Sequence, residues 1–295
     1  MLRSMYSGIS GLRNFQTKLD VIGNNISNVN TYGFKKGRVI FKDLISQTVA
    51  GASAASDSRG GVNPKQVGLG SQISTIDTIH AGGSTQFTGN TLDLAISGDG
   101  FFQVADATTD IEAVDGDEFT SSPLYTRAGN FYMDNRGYLV NSDGKYLVGY
   151  SAADLEGLDP EDVDPDVMPD PQPIVIPTTA QSMSIGQDGT ITFVNAAGDL
   201  KWAGQLILAK FPNPGGLNKV GGNYFQESTN SGVPVPGVAT TTGIGEIVSG
   251  FLEMSNVDLA EEFTEMIVAQ RGFQANTRII TTSDEILQEL VNLKR

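Results

Sequence analysis

The two ends of the chain share an apolar rhythm that the middle lacks. Leu2, Met5, Ile9, Leu12, Leu19 and Ile26 follow an alternating three-four spacing, with Gln16 and Gly23 at the interrupted positions. Phe15, Ile22 and Val29 widen the stripe on one side, as the buried face of a helix requires. Near the other end Leu259, Phe263, Met266, Phe273, Ile280, Leu287 and Val291 repeat the spacing, broken at Gln270, Thr277 and Asp284. Ile267, Ile279, Ile286 and Leu290 broaden that second face. Asp258 with Glu261 three residues later reads as an N-cap and capping box, and Ser255 is an alternative start. A helix over 258–293 measures roughly 54 Å at about 1.5 Å per residue. The terminal Lys294-Arg295 suits its negative pole.

The N-terminal helix is weak by itself. Gly8, Gly11 and Gly23 together cost about 3 kcal/mol relative to alanine, at roughly 1 kcal/mol each. Asn24, Asn25, Asn28 and Asn30 erode its end, and Gly33 is a candidate terminator. A helix of this kind is marginal in water without a partner. The pattern therefore predicts mobile ends in the free chain and order when the two helices pack together. Because both join one central region, they run antiparallel.

Between the ends the apolar period changes to two. Leu92, Leu94 and Ile96 alternate before Gly98-Asp99-Gly100, and Phe102 and Val104 follow. Asp134-Asn135-Arg136-Gly137, Asp143-Gly144 and Asp188-Gly189 each separate short apolar runs, and a longer run from Gln205 to Phe211 reads as a central strand. Short strands joined by such turns indicate antiparallel hairpins. The fold class is thus α+β: N- and C-terminal helices in an antiparallel coiled-coil-like pair, with a central β-rich domain. Residues 1–33 and 256–295 form the helical domain, and 34–71 a connector that is rich in Gly, Ala and Ser from Ser46 to Ser71. Residues 72–153 and 178–255 form the β-rich domain. An insert at 154–177 holds eight acidic residues from Asp154 to Asp170, no Lys or Arg, and six of the twelve prolines. It reads as a solvated outer loop. As a calcium site it lacks the glycine and terminal glutamate of an EF-hand loop.

A net charge of −15 argues against nucleic acid and anionic membranes as partners. No cysteine supplies a disulfide or thiolate ligand, and no stretch approaches the length of a membrane-spanning helix or a cleavable signal sequence. With His80 the only histidine, no histidine metal cluster can form, and no G-x-S-x-G elbow or P-loop is present. Pairs such as Asp115 and Asp117 are expected by chance in an acidic chain. The sequence thus predicts a non-enzymatic subunit with no cofactor. Two other classes fit parts of it: a secreted β-rich binding module, and a hydrolase using a cleft carboxylate pair.

Three separated segments resemble the flagellar rod and hook family of bacterial axial proteins. The first runs from Leu19 through Gly23-Asn24-Asn25-Ile26-Ser27-Asn28-Val29-Asn30-Thr31 and Tyr32-Gly33-Phe34-Lys35 to Phe41-Lys42-Asp43-Leu44. The second is the central pair Gly98-Asp99-Gly100-Phe101-Phe102-Gln103-Val104 and Tyr125-Thr126-Arg127-Ala128-Gly129-Asn130-Phe131. The third runs from Ser255-Asn256-Val257-Asp258 to Gln270-Arg271-Gly272-Phe273-Gln274. The ending Ser283–Leu293 and the Gly272-Phe273-Gln274 step resemble hook subunits, with a distal rod subunit as the alternative. A chain this short has no room for the sizeable outer β domain of many hook proteins.

The resemblance implies an open helical homopolymer lined by the terminal helices, a curved hook passing torque from rod to filament. Implied partners are further copies of the chain, the distal rod, hook cap and hook–filament junction proteins, and the flagellar type III export apparatus. It also implies an extracellular location in the flagellum without a cleaved signal peptide. Compliance for bending is expected in the 46–71 linker. Phe41-Lys42-Asp43-Leu44-Ile45 matches the family's short export-gate pattern through Phe41 and Ile45, and Phe41 also suits a packing role.

Overall fold

The computed structural model describes residues 2–55, 59–106, 123–151, 171–241 and 243–293. The acidic run from Asp154 to Asp170, the Asp115/Asp117 pair and Lys294-Arg295 lie outside these residues. The chain forms two compact units, one from Met1–Val29, Lys36–Ile79 and Val257–Arg295, the other from Asn30–Lys35 and His80–Asn256.

The first unit contains α1 (Leu2–Ser27), strands β1 (Gly37–Asp43), β2 (Ser46–Ala50), β3 (Lys65–Gly68) and β4 (Ser71–Thr78), and α2 (Leu259–Asn292). Helix α1 ends before Gly33, where the Asn28 side chain donates to the Asn24 carbonyl at 2.9 Å. Asp258 caps α2 by accepting from Ala260 N at 2.8 Å and Glu261 N at 3.4 Å. In the segment read as a linker or extended connector, the described residues form two antiparallel ladders. β1 pairs antiparallel with β4, and β2 pairs antiparallel with β3. Leu44 N to Gly70 O (2.9 Å) and Leu69 N to Ile45 O (3.1 Å) join the two ladders. Small residues hide the alternation that would reveal a strand, because the ladder is held by backbone groups rather than by an apolar face.

The second unit begins with β5 (Thr85–Phe87), β6 (Leu94–Ser97), β7 (Phe101–Ala105) and β8 (Leu124–Thr126). Next come β9 (Tyr132–Met133), β10 (Leu139–Val140), β11 (Tyr146–Ser151), β12 (Gln172–Pro173), β13 (Ser182–Ile185) and β14 (Thr190–Val194). The last are β15 (Leu200–Lys210), β16 (Asn218–Gly221), β17 (Tyr224–Gln226), β18 (Val235–Val238), β19 (Glu246–Ser249) and β20 (Phe251–Glu253). Twelve of them form an antiparallel sheet, eight along the path β13-β14-β15-β11-β7-β8-β17-β16 with β9, β10, β12 and β18 attached beside it, while β19 pairs with β6 and β20 with β5. The eleven-residue β15 is the central strand, pairing with β14, β11, β7 and β18.

Both faces of β15 are covered, so it reads as a continuous apolar run. Leu206 and Leu208 enter the main core with Leu94, Phe102, Phe131 and Leu147. Ala209 joins a second, aromatic cluster of Phe101, Tyr125, Phe211 and Phe225. Ile174 and Ile176, placed by sequence in the acidic insert, are wholly buried in the main core, so the insert's last residues belong to the β fold.

A charged node lies inside this unit. Glu253, 2% exposed, receives Lys35 Nζ at 2.5 Å on one oxygen and Arg127 Nη1 at 3.3 Å on the other, and both cations are equally buried. Lys35 also donates to the Ala81 carbonyl (2.9 Å) and Arg127 to the Gly98 carbonyl (2.7 Å). The backbone N–H of Gly83 completes the Glu253 carboxylate at 3.0 Å, and that of Gly33 donates to the Glu253 carbonyl at 2.8 Å. Burial pulls Lys35 below its usual pKa, and the Glu253 carboxylate opposes the shift. Gly33 has φ +69°, and a Cβ there would lie 2.5 Å from Ala128 N, so only glycine fits.

Beside this node His80 stacks edge-on against Phe101 and Phe225, at 5.6 and 5.2 Å between ring centres. Neither ring nitrogen makes a full hydrogen bond among the described residues, although the Pro214 backbone exerts a weak raising pull. Desolvation first, then Lys35, Lys219 and Arg127, lower its pKa from 6.5 to about 4. The unfolded chain therefore binds the His80 proton more readily. The stabilisation is full above pH 6.5 and is lost as pH falls through about 4. It amounts to on the order of 2 kcal/mol after allowance for solvent screening. Urea titrations of the parent and His80→Gln should converge across this window, and parallel curves would rule out a buried neutral histidine.

Candidate assembly interface

The helices of the first unit pack antiparallel: Gly8 lies against Ile280, Gly11 against Asn276, Phe15 against Gly272, and Asn25 against Glu262. Lys18 and Glu265 form an ion pair at the same seam. Gly8, Gly11, Phe15, Lys18, Ile22 and Asn25 make up the α1 side, one residue out of step with Ile9, Leu12, Leu19 and Ile26. A step of one residue turns the face by about 100°. On α2, Glu262, Ala269, Asn276 and Ser283 recur every seven residues, and all but Asn276 are buried.

Close approach explains this choice. A Cβ on Gly11 would come within 2.8 Å of Asn276 Oδ1, and one on Gly272 within 2.6 Å of Phe15 Cζ. Phe15 is held from its other side by Phe41, whose ring stands edge-on at 6.0 Å. Polar residues fill the remaining seam: Asn25 donates to Glu262 Oε2 (3.1 Å) and to the Gly37 carbonyl (2.9 Å), and Asn14 to Ser71 Oγ (2.8 Å). Knobs of this size let two helix backbones draw together.

The apolar residues selected by periodicity divide between this seam and solvent. Ile22 is buried, and Met5, Leu12, Leu19, Ile26 and Val29 are half-buried, while Ile9 is exposed. Leu2 begins α1. On α2, Met266, Phe273, Ile280 and Leu287 are half-buried. Leu259, Phe263 and Ile267 follow one another at four-residue steps and are 40–59% exposed. Ile279, Ile286 and Leu290 form a second exposed row, and Val291 is 66% exposed. Phe41 is half-buried against Phe15, and Ile45 is exposed. The missed seam residues had a signal, the seven-residue recurrence of small and polar side chains from Glu262 to Ser283.

Three sequence families match. Residues 5–35 match "Flagella basal body rod protein", 95–193 "Flagellar hook protein FlgE/F/G D1 domain", and 248–293 "Flagellar basal body rod FlgEFG protein C-terminal". Over the full length of both chains the sequence is 55% identical to the flagellar basal-body rod protein FlgG of Bacillus subtilis. The chain belongs to the flagellar rod and hook family. FlgG of Agrobacterium fabrum is another member, 37% identical over 97% of each chain. The flagellar hook protein FlgE of Borreliella burgdorferi is 33% identical, with both chains fully covered, over an alignment of 454 residues. Members are structural flagellar components, and the family segments are those that meet at the helix seam and at the Glu253 node.

The seam makes opposite predictions for two glycines of this family member. Gly23 has nothing within 4 Å of an added Cβ, so Gly23→Ala should stabilise the helical unit by about 1 kcal/mol through helix propensity. Gly272→Ala should destabilise it by about 1–2 kcal/mol, because the Phe15 overlap outweighs the same gain. Chemical denaturation followed by far-UV circular dichroism separates the two. Equal stabilisation by both would show that the seam is not closely packed.

Proposed function

We propose that the chain is a distal rod subunit of the bacterial flagellum, polymerising with its own copies into an open helical tube. The observation that carries this reading is the 55% identity to a rod protein over the whole of both chains. The hook-named relative needs 454 aligned positions against 295 residues here, so at least 159 positions (454 − 295) have no counterpart in this chain. Five residues, Gln270–Gln274, and the ending that follows favoured a hook subunit. Full-length similarity favours the rod alternative.

The exposed rows on α2 supply the means of assembly. Leu259, Phe263 and Ile267 on one side and Ile279, Ile286 and Leu290 on the other are large apolar side chains without cover in a single chain. Each would be buried against a neighbouring copy by a heterologous contact, which repeats without closing. Adjoining axial proteins are the partners at either end of such a polymer, and an export apparatus that passes unfolded chains delivers the subunits. Complementation of strains lacking either the distal rod protein or the hook protein, with electron microscopy of the axial structures, tests the assignment. Restoration of the rod strain alone is expected; restoration of the hook strain alone would reverse it.

Phe41 has a second proposed role, as the aromatic anchor of the export-gate pattern that ends at Ile45. Its contact with Phe15 belongs to the folded subunit, whereas export reads the unfolded chain. Phe41→Ala is expected to reduce secretion into the medium at unchanged intracellular level. Normal secretion with failed polymerisation would leave Phe41 a packing residue only.

A further inference from the structure

Most residues of the central family segment have a structural task. Thr126 bonds the Asn223 carbonyl and accepts from Ala128 N, and Arg127 holds the charged node. Gly129 lies where a Cβ would strike the Leu94 carbonyl, and Phe131 is buried in the core. Asn130 is different. Among the described residues no hydrogen bond engages its side-chain amide; the same holds for Asn30 in the first family segment and for Ser142, both of which are exposed where Asn130 is half-buried. All three line one cavity of about 240 Å³ within the second unit.

The lining of this cavity is uniform in kind. Among the described residues no charged side chain lines it, although Asp143 accepts from the Tyr224 hydroxyl and Lys145 Nζ stands 6.0 Å from the Tyr224 ring centre. Its walls are carboxamides, hydroxyls and the rings of Tyr32 and Tyr224. The Tyr224 ring is fixed, because its hydroxyl donates to Asp143 Oδ2 at 2.5 Å and accepts from Asn141 Nδ2 at 2.6 Å. Asn223 sits at φ +63°, in the left-handed region that asparagine enters more readily than most residues. Its Nδ2 donates to the Tyr32 carbonyl at 3.1 Å, which leaves Oδ1 as an acceptor.

We propose that this cavity binds a neutral saccharide. Each sugar hydroxyl both donates and accepts, and a carboxamide offers both functions in one plane. A tyrosine face covers the apolar C–H side of a sugar ring, while uncharged walls give an anionic or cationic ligand no counter-charge. Asn30, Asn130, Ser142 and Asn223 Oδ1 supply the unspent polar atoms, with Tyr32 and Tyr224 as the platforms.

Saturation-transfer NMR on the full-length chain, with chitotriose and maltotriose as probes, tests the proposal. At least one should bind with a dissociation constant of about 1 mM, the range of a shallow single-ring site. Asn130→Asp should weaken that binding at least about tenfold, with an unchanged thermal transition. Should that variant unfold, Ser142→Ala provides the same readout with a smaller expected loss. Absence of transfer from both saccharides, or transfer unaffected in every folded variant, would overturn it.

Discussion

Two buried cations share one buried carboxylate at Glu253, and the β unit is organised around that imbalance. Taking charges out of water is costly, and the cost is recovered only where geometry and additional hydrogen bonds are complete. Here the carboxylate faces Lys35, Arg127 and the Gly83 N–H, and the cations also donate to the carbonyls of Ala81, Ile96 and Gly98, with Arg127 Nε left without a partner among the described residues. Five stretches of chain thus have to arrive together. A hydrophobic core tolerates exchange of similar shapes, but such a node does not. That is a physical reason for Tyr32-Gly33-Phe34-Lys35, Gly98-Asp99-Gly100 and Thr126-Arg127-Ala128-Gly129 to read as fixed words in the sequence.

The helical unit is built on a different economy of side chains. Its internal contact uses glycine, alanine, serine and asparagine, with Phe15 the main large knob. Most of the large apolar residues of α2 stand outside that contact. Periodicity analysis sums every burial a helix undergoes, within the chain and between chains, and reports one averaged stripe. On α2 that average ran through Met266, Phe273, Ile280 and Leu287, which are half-buried, and also took in Leu259, Phe263 and Val291, which are exposed. The glycines that looked like defects in α1 divide in the same way: Gly8 and Gly11 are contact positions, and Gly23 is open.

Other parts of the fold were legible wherever one chemical requirement dominated. Asp143-Gly144 and Asp188-Gly189 turn where expected, with φ +80° and +84° at the glycines, because only that residue adopts the conformation cheaply. The central strand was visible from Gln205 to Phe211 because both its faces are covered. The 46–50 and 65–68 strands were hidden, since every residue in them is exposed and no burial writes a pattern. His80 was legible as the single histidine but not as a shielded one, since burial of a lone polar ring depends on aromatic neighbours far apart in sequence.

The distinction between rod and hook shows the same limit at a larger scale. Of the five residues Gln270–Gln274, Gly272 meets Phe15 at the helix seam, while Gln270, Arg271 and Gln274 are exposed. So short a step carries few contacts, which rod and hook relatives can share. In the proposed polymer, the surface each subunit offers its neighbours is spread over the chain. Exposed rows of α2 and the hairpin from β1 to β4 contribute to that surface without contributing a core. Full-length similarity samples those residues, and a five-residue step does not.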